Sequence, residues 1–320
     1  MTKLRCAVLD DYQGVARSLG DWRRIAPQVD TEFLDTHLVS QDDLVHALED
    51  REIVVVMRER TPFPAGLLAR LPRLRLLITS GMRNAAIDLE AAGRQGVTVC
   101  GTVSNSEPPA ELTWALILGL ARQVVPESTA LRSGGPWQHS LGADLHGRRL
   151  GLLGLGKIGR KVARVGAAFG MDVMAWSPHL TPERAAEGGA VAAASKEELL
   201  ESSDFVSVHL VLGDRTRGLI GEKELRRMRD SAYLVNTSRA AIVDQAALLR
   251  ALEEGWIAGA GTDVFETEPL PLDDPLRTAP RLLALPHLGY VTRRNYEGYF
   301  GQAVEDIEAF LAGSPVRVLG

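Results

Sequence analysis

Short, wholly apolar runs alternate with amphipathic segments along almost the entire chain. Strands are predicted at residues 6–9, 53–57, 74–79, 97–100, 150–154, 173–176, 205–209, 233–236 and 282–285, most of them bounded by Gly, Pro or an acidic residue. Runs apolar along their length suit strands buried on both faces, and the periodic segments between them suit crossover helices. Together they predict an α/β fold built from βαβ units with parallel sheets. One helix should begin near Pro109, with Ser106 or Glu107 at its start, after a small, polar, proline-containing stretch at 100–109 that reads as a hinge. Another is predicted over 157–169, ended by Gly170. A third closes the chain over 294–311. Phe300, Val304, Ile307 and Leu311 form its apolar stripe, and Gly313 and Pro315 stop it.

A length of 320 residues suggests two domains at roughly 100–200 residues each. The 41 acidic against 36 basic residues leave a net charge of −5. That balance argues against nucleic acid or an anionic membrane as the main partner, so an anionic ligand needs a local cluster of positive charge. Two cysteines, Cys6 and Cys100, are too few for a disulfide framework and point to a reducing cytoplasm. The N-terminus carries no apolar run of signal-peptide length, and the longest apolar stretch, 112–121, is about half of what a membrane span needs. No metal is expected.

The strongest local chemistry is Gly154-Leu155-Gly156-Lys157-Ile158-Gly159, a G-x-G-x-x-G turn preceded by a strand and followed by a helix and a second strand. In that frame the first glycine permits the tight turn and the second lets the backbone approach a pyrophosphate. The third brings the helix close to the sheet, and the helix N-terminus attracts the anion. A carboxylate at the end of the second strand would bond a ribose 2′-hydroxyl and mark NAD. That position is Ser177, eighteen residues after Gly159, and His179 is the nearest cation. NAD and NADP both stay open.

Three later segments, Asn236-Thr237-Ser238-Arg239, Asp263-Val264-Phe265-Glu266-Thr267-Glu268-Pro269 and Pro286-His287-Leu288-Gly289, follow in order. With the glycine turn, they make the chain resemble the D-isomer-specific 2-hydroxyacid dehydrogenases, over nearly its whole length. That family includes D-lactate, glyoxylate/hydroxypyruvate and D-3-phosphoglycerate dehydrogenases. The resemblance implies two Rossmann-like domains, a discontinuous substrate domain of residues 1–100 and 286–320 and a dinucleotide-binding domain of 101–285. It places the active site in the cleft between them, where closure excludes water. It also implies a homodimer through the cofactor domain, for which the turn-rich segment 126–147 with Trp137 is an interface arm.

The expected reaction is NAD(P)-dependent interconversion of a small 2-keto acid and its D-2-hydroxy acid. By resemblance, Arg239 holds the substrate carboxylate and carbonyl, His287 is the general acid/base, and Glu268 orients it, with Glu266 a rival for that role. These types suit the chemistry: charge builds on the ketone oxygen, a protonated imidazole quenches it, and a neighbouring carboxylate favours that imidazolium. A planar arginine suits a carboxylate. Softer carry-overs place Asp263 on the nicotinamide carboxamide and Ser80, Gly81 and Met82 in a turn whose N–H groups hold the substrate carboxylate. His209, Leu210 and Thr216 lie against the adenine half, and Thr237 and Ser238 join the cofactor site.

The chain departs from the family pattern at Met82-Arg83, at Ala240 and at Val211, where glycine, glycine and proline are usual. Arg83 either adds charge at the substrate mouth or is solvated. Arg58 and Arg60 either meet a phosphorylated substrate or form a surface pair. Two further readings remain: a non-enzymatic NAD(H)-sensing, corepressor-like protein, and a formate or phosphite oxidase. The retained histidine partner Glu268 argues against the latter.

Overall fold

The computed structural model describes residues 2–320 and divides into two compact units, Met1–Asn105 with Val291–Gly320, and Ser106–Tyr290. The divisions fall five residues beyond the expected limits of 100 and 285, which places His287 in the second unit. The cause is local: the last strand of that unit runs directly into the His287 turn, and a buried aspartate of the same unit binds the turn's amides.

The first unit holds a parallel sheet of five strands: β1 (Leu4–Val8), β2 (Val29–Phe33), β3 (Ile53–Val56), β4 (Leu76–Thr79) and β5 (Thr98–Gly101), ordered β2-β1-β3-β4-β5. Every residue of β3 and β4 is buried, as continuous apolar runs require. The closing helix Arg293–Leu311 buries Tyr299, Phe300, Val304 and Ile307, three of them from the expected stripe. Beyond it the chain returns to the sheet edge, where Cys100 bridges Val318 and Leu319 N–H donates to Val99 O. Cys6 and Cys100 are both fully enclosed, and burial pushes each thiol up to about 12.

The second unit has seven parallel strands: β6 (Arg149–Leu153), β7 (Asp172–Trp176), β8 (Val191–Ala192), β9 (Phe205–Val208), β10 (Tyr233–Asn236), β11 (Gly259–Thr262) and β12 (Leu282–Ala284). Their order is β12-β11-β10-β9-β6-β7-β8. Because β6 lies between β7 and β9, the winding direction reverses there. A reversal opens a crevice at the carboxyl ends of the strands. The helix Glu107–Ala121 packs on β10 and β11, and the glycines of β11 explain how closely. A Cβ on Gly261 would lie 3.2 Å from both Leu116 Cβ and Leu120 Cδ1.

Part of this unit leaves the core altogether. The helix Val124–Arg132 buries none of its residues, and in the segment after it Trp137 and Leu141 are 78% and 98% exposed. Among the described residues no helix is long and apolar enough to cross a membrane.

Candidate functional site

The most ordered chemistry lies where β11 and β12 end. His287 holds a left-handed backbone (φ 53°), which turns the chain sharply after β12. Its Nδ1 lies 2.6 Å from Glu268 Oε2, and both side chains are mostly enclosed. Glu268 is itself held, because Oε1 accepts the Phe265 N–H at 2.9 Å. With Nδ1 engaged by a carboxylate, Nε2 is the nitrogen left to exchange a proton. The ring edge of Tyr290 packs on the imidazole at 5.4 Å between centroids. Glu266, the rival partner, instead uses its backbone N–H to bond Gln245 Oε1.

Asp263 stands beneath this turn. It is 1% exposed, and its two oxygens accept the Leu288 and Gly289 N–H groups at 2.6 and 2.8 Å. Burial pushes its carboxyl up to about 6, while the two amides pull the other way. The expected carboxamide contact therefore competes with a structural duty: this carboxylate braces the backbone that carries His287.

The glycine turn follows β6. Gly154 has φ 103°, and a Cβ there would meet His209 O at 2.6 Å. A Cβ on Gly159 would meet Gly154 O at 2.3 Å, so the helix Lys157–Ala168 starts against the turn only because that position is bare. At Gly156 nothing lies within 4 Å of the Cβ position, which leaves open space over the backbone at the helix start. Close packing at the first and third glycines with open space at the second fits a pyrophosphate. Lys157 is exposed and Ile158 half-buried against the core.

Of the other expected cofactor residues, His209 and Leu210 lie against this turn, and several have their side chains bonded internally. His209 Nε2 pairs with Ser207 Oγ at 2.9 Å, and burial drives its imidazole down to about 4, so it is neutral at pH 7. The Ser238 hydroxyl donates to Leu210 O at 2.5 Å, and the Thr237 and Thr113 hydroxyls bond each other at 2.8 Å. The Thr216 hydroxyl ties its own loop by donating to Val211 O and accepting the Gly213 N–H.

Arg239 leaves the end of β10 on a turn stitched by Asn236, whose amide accepts the Ser238 N–H and donates to Arg239 O, both at 3.0 Å. One guanidinium nitrogen donates to Ser238 O at 2.8 Å, so the half-buried side chain is held near its own backbone.

In the first unit, the turn after β4 differs from expectation. The Ser80 hydroxyl accepts the Arg58 N–H, and the Gly81 N–H donates to Thr102 Oγ1 at 3.2 Å, so that amide is turned toward the protein. Gly81 has φ 101°, and a Cβ would sit 2.8 Å from Arg58 Nη1. Met82 and Arg83 are exposed. Arg58 and Arg60 do not form a solvated pair. Arg58 is half-buried with Nη1 3.4 Å from Ser104 Oγ, and Arg60 lies over the Tyr12 ring at 4.5 Å while donating to Asp10 O.

One group escaped the sequence altogether. Ser177 and His179 follow β7 as expected, but Arg215, from the loop after β9, reaches His179 Nε2 at 3.3 Å. A 36-residue separation carries no local signal.

The chain is similar to known proteins over most of its length. The profile described as "D-isomer specific 2-hydroxyacid dehydrogenase, NAD binding domain" matches residues 114–289. A glyoxylate reductase of Aeropyrum pernix is 43% identical over 77% of this chain and 76% of its own length. The D-3-phosphoglycerate dehydrogenase of Bacillus subtilis is 33% identical over 91% of this chain, which spans 55% of that longer relative. Among solved structures, a phosphoglycerate oxidoreductase from Vibrio cholerae superposes with a TM-score of 0.91 at 37% identity, covering 97% of this chain and 100% of that one. The match over more than half of its length, with relatives of this identity, shows that the chain belongs to the D-isomer specific 2-hydroxyacid dehydrogenase family.

Proposed function

We propose that this protein reduces a small 2-keto acid to its D-2-hydroxy acid, and runs the reverse oxidation, with a nicotinamide dinucleotide on the β6 turn. The observation that carries this reading is the 2.6 Å contact between His287 Nδ1 and Glu268, on a turn braced by Asp263. A bound dinucleotide supplies or receives the hydride. The chain's own residues do the rest.

Arg239 pairs with the substrate carboxylate, with a planar, permanent charge that fits two oxygens at once. As negative charge grows on the ketone oxygen, His287 Nε2 delivers a proton to it, and Glu268 stabilises the imidazolium that carries that proton. In oxidation the same nitrogen removes the hydroxyl proton. We assign the 80–82 turn, with Arg58 and Arg60 beside it, to recognising the remainder of the substrate; two guanidinium groups favour an anionic remainder over an apolar one.

Purified protein should oxidise NADH or NADPH with glyoxylate, hydroxypyruvate or a phosphorylated 2-keto acid. Dinucleotide binding with no turnover across that panel would instead favour the sensor reading.

The same proposal extends to assembly: a second copy of this chain covers the exposed segment around Trp137 and Leu141. Light scattering should give a dimer, and joint Trp137→Asp and Leu141→Asp substitutions should give a folded monomer. A wild-type monomer at micromolar concentration would refute the assembly.

A further inference from the structure

Two arginines meet at the turn that follows β7, and neither lies against a carboxylate. Arg184 and Arg215 form no ion pair among the described residues. Both are exposed, and both converge on His179: Arg215 Nη1 lies 3.3 Å from its Nε2, and Arg184 Nη1 donates to its backbone oxygen at 3.3 Å. The turn is compact, with Leu180 N–H donating to Ser177 O at 3.1 Å. It adjoins the dinucleotide cradle directly, since Gly154 N–H donates to Trp176 O at 2.9 Å.

The strand end beside such a cradle is where the adenosine ribose is read. A carboxylate there would accept the 2′-hydroxyl and repel a phosphate. This chain has Ser177, a half-buried residue, with two uncompensated guanidinium groups meeting at His179 in the same turn. Two carboxylates are close in sequence and set the opposing field. Glu183 is bound at its helix start by its own N–H and the Thr181 hydroxyl, which hold its carboxyl below the usual range, and Asp214 precedes Arg215. Neither pairs with Arg184 or Arg215. When Arg215 bonds a neutral imidazole, that contact is weak beside a charge-assisted bond to a phosphate, so a dianion would displace it.

We infer that Ser177, His179, Arg184 and Arg215 form a 2′-phosphate subsite, so that this protein takes NADP(H) in preference to NAD(H). This rests on the dinucleotide reading above and sharpens it. His179 positions Arg215, while Arg184 and Arg215 supply the charge.

Calorimetric titration of the purified protein with adenosine 2′,5′-bisphosphate and with 5′-AMP tests it without turnover, because the two ligands differ only in the 2′-phosphate. The bisphosphate should bind at least about tenfold more tightly, a margin that one charge-assisted contact supplies, and the margin should shrink with added salt. Arg215→Ala should remove most of that margin and leave 5′-AMP unchanged. Ser177→Asp should reverse the preference between NADPH and NADH in direct binding. Equal affinity for the two adenosine ligands, with NADH still bound, would overturn this inference and leave the proposed function standing. Failure to bind either dinucleotide would overturn both.

Discussion

Two strand-end loops of the second unit, the His287 turn and the Ser177 turn, are built in opposite ways. The first is closed: an aspartate 1% exposed spends both oxygens on its backbone, and Glu268 is itself gripped by the Phe265 amide. The second is open, and its cations Arg184 and Arg215 are exposed and bonded only to His179. Under the proposed mechanism the first turn carries the proton donor, whose rate falls steeply with misplacement, and buried, redundant support suits that duty. The inferred duty of the second, choosing between ligands, tolerates adjustable side chains on a fixed backbone.

The sharpest way to break that contrast is His287→Gln, which should cut kcat by about 10²–10⁴ while the dinucleotide Kd stays within a factor of about two, inside the span of a few tenths of a kcal/mol. Steady-state kinetics beside calorimetry separate the two. Full activity in that variant would end the proposed mechanism.

Asp263→Asn should come next. An amide has one acceptor oxygen for two N–H donors, so one of the Leu288 and Gly289 amides loses its partner. That costs about 1–3 kcal/mol and should lower kcat by roughly tenfold or more. A variant with normal kcat and a weakened dinucleotide Kd would show that the carboxylate serves the carboxamide, not the turn.

The same residue gives a pH signature. Its carboxyl is pushed up to about 6 from 3.8, so between those values the folded chain binds the proton more tightly than the unfolded chain. Stability from this group is therefore fully present below about 4 and is lost as pH rises through 6. Relative to Asp263→Asn, the wild type should lose on the order of 2 kcal/mol across that window. Denaturant titrations at pH 4.5, near the lower edge of the window, and at pH 7, about 1 unit above its upper edge, should show most of the difference with that sign. The opposite sign would mean that the amide contacts outweigh burial.

At the open loop, Arg184→Ala should change folding stability by less than about 0.5 kcal/mol, measured as a shift in denaturant midpoint. A larger loss would make this arginine part of the scaffold and remove the contrast.

What the sequence disclosed follows the same division. Strands with continuous apolar runs, such as β3, β4 and β9, are legible because both faces are buried. Strand β2 (VDTEF) alternates at a sheet edge, β8 is two residues long, and β11 (GAGT) trades side chains for close approach of a helix. None carries the apolar signal. Likewise, the order of Arg239, Glu268 and His287 carries the family resemblance, but that the Gly81 N–H turns to Thr102, or that Arg215 reaches His179, depends on loop paths that no local pattern encodes.

The two cysteines have a practical meaning. Cys6 and Cys100 sit wholly inside the first unit, with thiols too basic to ionise near pH 7. The native protein is thus nearly invisible to maleimides and other alkylating labels. A single cysteine introduced on the surface of either unit would be the one reactive handle, and a pair of them would carry fluorophores that report the separation of the two units in solution as ligands bind.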